Sequence, residues 1–285
     1  MSKINHFGIL GGDKRQRYLA QSIASDGYPV FAWGLDDIPI KNVTPATIPE
    51  LVERCDTIIL PLPATHDGKY LNAPFGDERI LLDDDFANFM VGKNVYAGMI
   101  NPLISTSDLW SKLSIYDFST REDFAVRNAV PTAEGAIMIA MEHFDGMINQ
   151  SKCLVVGYGR IGKVLSDMLH GLGANVTVSA RKASDLAWIT LKGHKAIRTE
   201  ELQNQNQFDL VFNTVPALIF TRKLLSKQSS ETIFMELASI PGGFDLEAAE
   251  QFGLTLIQAP SLPGKVAPKA AGEIIKDTIY NMMEE

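Results

Sequence analysis

Short apolar runs recur along the chain, and between them apolar residues fall at helical spacing. Phe7-Gly-Ile-Leu10, Val30-Phe-Ala-Trp33, Thr57-Ile-Ile-Leu60, 94–100 and 114–118 read as strands in the first part. In the second part 153–156, 175–180, 209–213, 232–237 and 254–257 read the same way. The clearest helix follows the 153–156 run. Ile161, Val164, Leu165, Met168, Leu169 and Leu172 lie at i, i+3, i+4, i+7, i+8 and i+11, one face of a helix. Another helix is expected over 14–24, with Asp13 as N-cap and Gln16 closing a capping box. Pro131 should break an apolar pattern, leaving Thr132 to cap the helix that follows. Strands alternating with helices imply an α/β chain with doubly wound parallel sheets.

A length of 285 residues favours two domains over one. The pattern divides them at 1–125 and 151–264. A linker helix over 126–150 joins them, and a last helix over 265–285 returns to complete the first. Hydrophobic residues at 46% and charged residues at 21% are an ordinary globular balance. A net charge of −8 argues against nucleic acid as a partner. No stretch approaches the ~20 apolar residues of a membrane span, and Met-Ser-Lys-Ile-Asn-His lacks the layout of a secretion signal. Cys55 and Cys153 border apolar strands and read as buried hydrophobes of a reducing compartment, so a cytoplasmic protein is expected. The acids Asp83-Asp84-Asp85 read as a solvated loop, and no metal site is expected.

The 153–156 run leads straight into Gly157-Tyr158-Gly159-Arg160-Ile161-Gly162. Strand, glycine turn, helix and strand within one βαβ unit form the dinucleotide-binding pattern. Gly157 permits the tight turn, Gly159 lets a pyrophosphate approach the backbone, and Gly162 lets helix and strand pack closely. The helix N-terminus then presents free N–H groups to the diphosphate. The next strand ends in Ser179-Ala180-Arg181-Lys182. It lacks the acid that binds a ribose 2′-hydroxyl in NAD sites, and the two cations suit a 2′-phosphate. NADP is therefore expected over NAD. The ends of later strands, Asn213-Thr214-Val215-Pro216 and Leu237-Ala238-Ser239, complete the expected cofactor set, since ligands of open α/β sheets lie beyond the carboxyl ends of the strands.

Several motifs in order carry a wider resemblance: Gly12-Asp-Lys-Arg-Gln16, Pro131-Thr-Ala-Glu-Gly135, Leu237-Ala-Ser-Ile-Pro-Gly-Gly243 and Ala259-Pro-Ser-Leu-Pro-Gly264. Over nearly its whole length the chain resembles the A subunits of bacterial dipicolinate synthase. That resemblance implies a formate/glycerate dehydrogenase-like arrangement, with a flavodoxin-like N-terminal domain and a Rossmann domain that binds NADP. It implies a substrate from the lysine branch, 4-hydroxy-tetrahydrodipicolinate or its dehydrated form. The product would be pyridine-2,6-dicarboxylate, made in sporulation. It also implies a flavoprotein-like partner, the B subunit. A homo-oligomer is expected as well.

A dicarboxylate substrate calls for cations or a helix N-terminus. Arg15, beside Gly11-Gly12, and Lys265, after a Pro-Gly turn at the start of the last helix, are the candidates. Lys14 and Arg127 are weaker ones. Aromatisation removes a hydride and a proton, and loss of the hydroxyl needs acid help. His66, in the loop after Pro61-Leu-Pro63, is the first choice for that group. Thr132 and Glu134, opening the linker helix, either touch substrate or cap the helix. Two other readings stay open. One is a 2-hydroxy-acid or alanine-dehydrogenase-like enzyme. No histidine follows His194 and 237–243 holds no arginine, which counts against the hydroxy-acid form. The other is a cofactor-binding module supporting a separate catalytic protein.

Overall fold

The computed structural model describes residues 5–35, 39–205 and 207–285. It divides into two units, Met1–Asn128 with Ala267–Glu285, and Ala129–Val266. The first carries strands β1 Phe7–Leu10, β2 Val30–Trp33, β3 Val43–Pro45, β4 Thr57–Ile59, β5 Asn94–Ala97 and β6 Ser114–Asp117. Helices α1 Lys14–Ser25, α2 Ile48–Arg54, α3 Asp84–Phe89 and α4 Asn101–Ile104 lie between them, and α5 Glu122–His143 runs on into the second unit. The second unit carries β7 Lys152–Val156, β8 Asn175–Ala180, β9 Lys195–Arg198, β10 Leu210–Asn213, β11 Ile233–Glu236 and β12 Thr255–Gln258. Its helices are α6 Arg160–Gly171, α7 Ala183–Leu191, α8 Arg222–Leu225, α9 Leu246–Gln251 and α10 Leu262–Val266. Helix α11, Pro268–Glu284, belongs to the first unit.

Both sheets are wholly parallel, as the alternation of strands and helices implies. Their orders are β3-β2-β1-β4-β5-β6 and β12-β11-β10-β7-β8-β9. Counted within each unit these are one order, 3-2-1-4-5-6, that of the dinucleotide-binding sheet. The five strands read from the sequence in the first unit lie in the flavodoxin order, and β3 adds a sixth outside β2. Successive residues feed opposite faces: Ile58 joins one core and Ile59 another, and Cys153 and Leu154 divide likewise. Each sheet is thus covered on both sides. Burial pushes the Cys153 thiol up to about 11 and the Cys55 thiol up to about 12, so both are inert hydrophobes at neutral pH.

Four local expectations are corrected. The chain does not break at Pro131; α5 continues through it. The missing N–H costs about 3 kcal/mol or more. Burial of Ala129, Ala133, Ala136, Ile137 and Ala140 along one face offsets it. Thr132 is therefore buried in mid-helix rather than capping, and Glu134, two residues on, is exposed. Lys265 sits in the last turn of the separate short helix α10, which absorbs the Pro-Gly pair; the last helix starts at Pro268. Asp13 does cap α1, but through the Arg15 backbone amide at 2.9 Å, and the Gln16 side-chain amide, fully buried, has no hydrogen-bond partner among the described residues, so the capping box is open. Asp83 is no loop residue: it caps α3 by accepting from the Phe86 amide. No group of acids, histidines or cysteines among the described residues is arranged to hold a metal ion, and no described helix is long and apolar enough to cross a membrane.

Candidate functional site

In the second unit the strand order reverses between β7 and β10, where an open α/β sheet binds its ligand. The glycine turn lies there. Gly157 adopts φ +99°, closed to most L side chains. A Cβ on Gly162 would stand 2.1 Å from the Gly157 carbonyl oxygen, so helix and turn touch backbone to backbone. Thr214 fastens the turn from the other strand: its amide and hydroxyl donate to Val156 O at 2.9 and 2.8 Å. A Cβ on Gly157 would meet Thr214 Oγ1 at 2.5 Å. Gly159 differs. A Cβ there meets nothing within 4 Å, and as N-cap of α6 Gly159 offers no side chain to the first-turn amides. The turn is braced on its protein side and open on its outer side, with the dipole end of a twelve-residue helix behind it.

The other expected cofactor residues stand at or just beyond the carboxyl ends of β7, β8, β10 and β11. Gly157 N donates to Ser179 O at 3.0 Å, while the Ser179 hydroxyl is buried and has no partner among the described residues. Arg181 and Lys182 are exposed and form no ion pair among the described residues. Tyr158 is half-buried with Lys163 Nζ 5.5 Å from its ring centre; burial, then the Asp167 carboxylate, hold its phenol above the usual range. Ile161 and Val215 are half-buried, Arg160 and Pro216 exposed, and Asn213 and Leu237 buried. An unpartnered hydroxyl, an uncapped helix start and an unobstructed glycine fit the sugar and diphosphate of a dinucleotide.

The first unit shows the contrasting case at its own reversal, between β1 and β4. Its Gly11-Gly12 turn is filled by the protein: a Cβ on Gly11 would lie 2.9 Å from Ala73 Cβ, and one on Gly12 2.5 Å from the Gln16 amide. The start of α1 is occupied by the Asp13 carboxylate, which disfavours a phosphate. Arg15, only 9% exposed, is turned onto that carboxylate through Nε at 2.9 Å and Nη2 at 2.8 Å, and donates to Leu62 O as well. Arg15 therefore joins the ends of β1 and β4 as a near-neutral pair with Asp13. His66 is exposed in the loop beyond β4. The next residue, Asp67, accepts from the Lys69 and Tyr70 amides at 2.9 Å each, bonds that hold its carboxyl below the usual range. Arg15 and His66 belong to the first unit; Thr132, Glu134, Lys265 and the cofactor set belong to the second. Arg127 pairs with Asp277 of α11 at 3.0 Å.

Three comparisons place the chain among known proteins. A family model for the N-terminal domain of the dipicolinate synthase A subunit matches residues 6–118. The curated A subunit of dipicolinate synthase from Bacillus subtilis (strain 168) is 32% identical over 282 residues, 97% of this chain and 95% of that protein. The chain belongs to the family of dipicolinate synthase A subunits. The crystal structure of the A subunit of dipicolinate synthase from Bacillus halodurans matches with a TM-score of 0.89 and 31% identity, covering 100% of this chain and 99% of that one. A transhydrogenase from Sinorhizobium meliloti shares the fold alone, with a TM-score of 0.68 and 15% identity over 97% and 93% of the two chains.

For this member of the dipicolinate synthase family, the motif reading missed one residue of the site. Glu236, the last residue of β11, is buried and accepts hydrogen bonds from Asn213 and from two backbone amides of the following loop. The signal in the sequence was a lone acid closing the apolar run Ile233-Phe-Met.

Proposed function

We propose that this chain is an NADP-dependent oxidoreductase that forms pyridine-2,6-dicarboxylate, from 4-hydroxy-tetrahydrodipicolinate or its dehydrated form, in sporulation. The observation that carries the reading is the opening at Gly159, uncapped and unobstructed, in a chain aligned end to end with dipicolinate synthase A subunits. Gly157 to Gly162 would hold the diphosphate through the first-turn amides of α6, and Ser179 a ribose hydroxyl. Arg181 and Lys182 would take the 2′-phosphate, which an acid at that place would repel. Bound there, a nicotinamide supplies two-electron hydride acceptance. The dehydrated substrate becomes aromatic by giving up that hydride and one proton. The proton needs an acceptor, and His66 is the candidate. Arg15 and Lys265 are the candidates for the substrate carboxylates.

A second reading has support in the first unit. Arg15 is already matched by Asp13, and His66 lacks a hydrogen-bonded orienting group among the described residues, which favours a partner protein as the source of catalytic groups. Turnover by the purified chain separates the two. Growth of pyridine dicarboxylate absorbance with NADP and tetrahydrodipicolinate supports an enzyme sufficient by itself. Growth only once a B-type subunit is present supports the supporting role.

A further inference from the structure

Strand β11 is apolar up to its last residue, Glu236, which is 9% exposed. Both oxygens of its carboxylate are engaged. Oε1 accepts from Asn213 Nδ2 at 2.7 Å and from the Ala238 amide at 3.0 Å; Oε2 accepts from the Gly243 amide at 2.5 Å. One side chain thus fastens both ends of the 238–243 loop and ties them to the end of β10. Asn213 is itself fixed, since Nδ2 also donates to Val215 O at 2.9 Å and Oδ1 accepts from Val215 N at 3.2 Å. The loop's glycines are matched to this staple. A Cβ on Gly242 would lie 3.0 Å from Glu236 Oε2, and one on Gly243 would lie 2.3 Å from Asn213 Nδ2. At the tip of the loop Ile240 is 97% exposed, an apolar side chain held out by a buried polar anchor.

A buried carboxylate is tolerated only when its acceptors are satisfied, and charge-assisted bonds make the anchor stiff. The strand order sets β8, with Ser179 at its end, on one side of the reversal, and β10 and β11 on the other. A dinucleotide laid across that point with its adenosine end at β8 has its nicotinamide end on the β10 and β11 side. We propose that Glu236 is a positioning residue for the nicotinamide half of the dinucleotide, acting by stapling the 238–243 loop to Asn213. The proposal rests on the dinucleotide reading above.

Glu236→Gln tests it. The amide keeps the size but turns an N–H toward a backbone N–H, so one end of the loop comes free. Calorimetry would use whichever of NADP and NAD the wild type binds more tightly, beside the matching fragment, 2′-phospho-ADP-ribose or ADP-ribose. The variant should bind the whole dinucleotide about tenfold more weakly or worse, and the fragment within about twofold of wild type. Equal losses for both, or an unchanged dinucleotide affinity, overturn the positioning role. Should Glu236→Gln show no cooperative unfolding transition, Gly243→Ala attacks the same staple through Asn213 and is read by the same two outcomes. A wild type that binds neither coenzyme overturns the proposal together with the dinucleotide reading. A wild type that binds while the variant matches it overturns the proposal alone.

Discussion

Gly162 and Gly157 meet backbone to backbone: a Cβ on the first would stand 2.1 Å from the carbonyl oxygen of the second. Gly159, between them in sequence, faces open space on its outer side. Two glycines of one turn therefore serve different ends. Gly162→Ala should destabilise the fold by about 1–3 kcal/mol, because the clash is with main chain that cannot yield. Gly159→Ala should change stability by no more than about 1 kcal/mol while weakening dinucleotide binding at least about tenfold. Thermal unfolding and calorimetry of the two variants check this. A Gly159→Ala protein that binds normally would remove the diphosphate from the turn.

Arg181→Ala should discriminate between coenzymes. Only NADP carries a 2′-phosphate, and a charge-assisted hydrogen bond contributes about 1.5–3 kcal/mol. The loss should be roughly ten- to a hundredfold for NADP and slight for NAD. Equal losses would place Arg181 elsewhere in recognition.

Arg15→Ala should act twice. It leaves the Asp13 carboxylate and the Leu62 carbonyl without their shared donor, which costs about 1–3 kcal/mol of stability. If Arg15 also meets the substrate, the KM for the diacid rises while coenzyme affinity holds. A lowered Tm with an unchanged KM would leave Arg15 a joint between β1 and β4 and nothing more.

Acid stability should depend on Asp167. Burial raises its carboxyl, but hydrogen bonds from His194 at 2.9 Å and Lys192 at 2.9 Å outweigh that and hold it below the usual range. A depressed folded value means that the contribution is complete above the unfolded carboxyl's ordinary value of about 3.9. It is lost as pH falls through the lower folded one. Asp167→Asn should flatten the fall in Tm between about pH 5 and pH 2. An unchanged acid limb would show that other carboxylates govern it.

Most of the fold was legible because parallel strands are buried on both faces and appear as unbroken apolar runs. The two strands that escaped notice are edges. Val43–Pro45 is three residues long and ends in proline, which an edge accommodates. Lys195–Arg198 has a charge at each end and only one buried residue. Pro131 misled because a strong local signal was overridden by the buried alanine face of α5. The cofactor turn was legible because its chemistry lies in consecutive residues. Glu236 was not, since its partners Asn213 and Gly243 come together only when β10 and β11 pair. The state of Arg15 was hidden for a similar reason: charge is visible in a sequence, but the Leu62 carbonyl that completes its coordination lies 47 residues away.

The turn from Gly157 to Gly162 is proposed to hold a nicotinamide dinucleotide, with the 2′-phosphate on Arg181 and Lys182. Isothermal titration of the purified chain with NADP and with NAD tests it most directly. Saturable uptake of NADP, at least about tenfold tighter than that of NAD, is the predicted result. Failure to take up either coenzyme would contradict it.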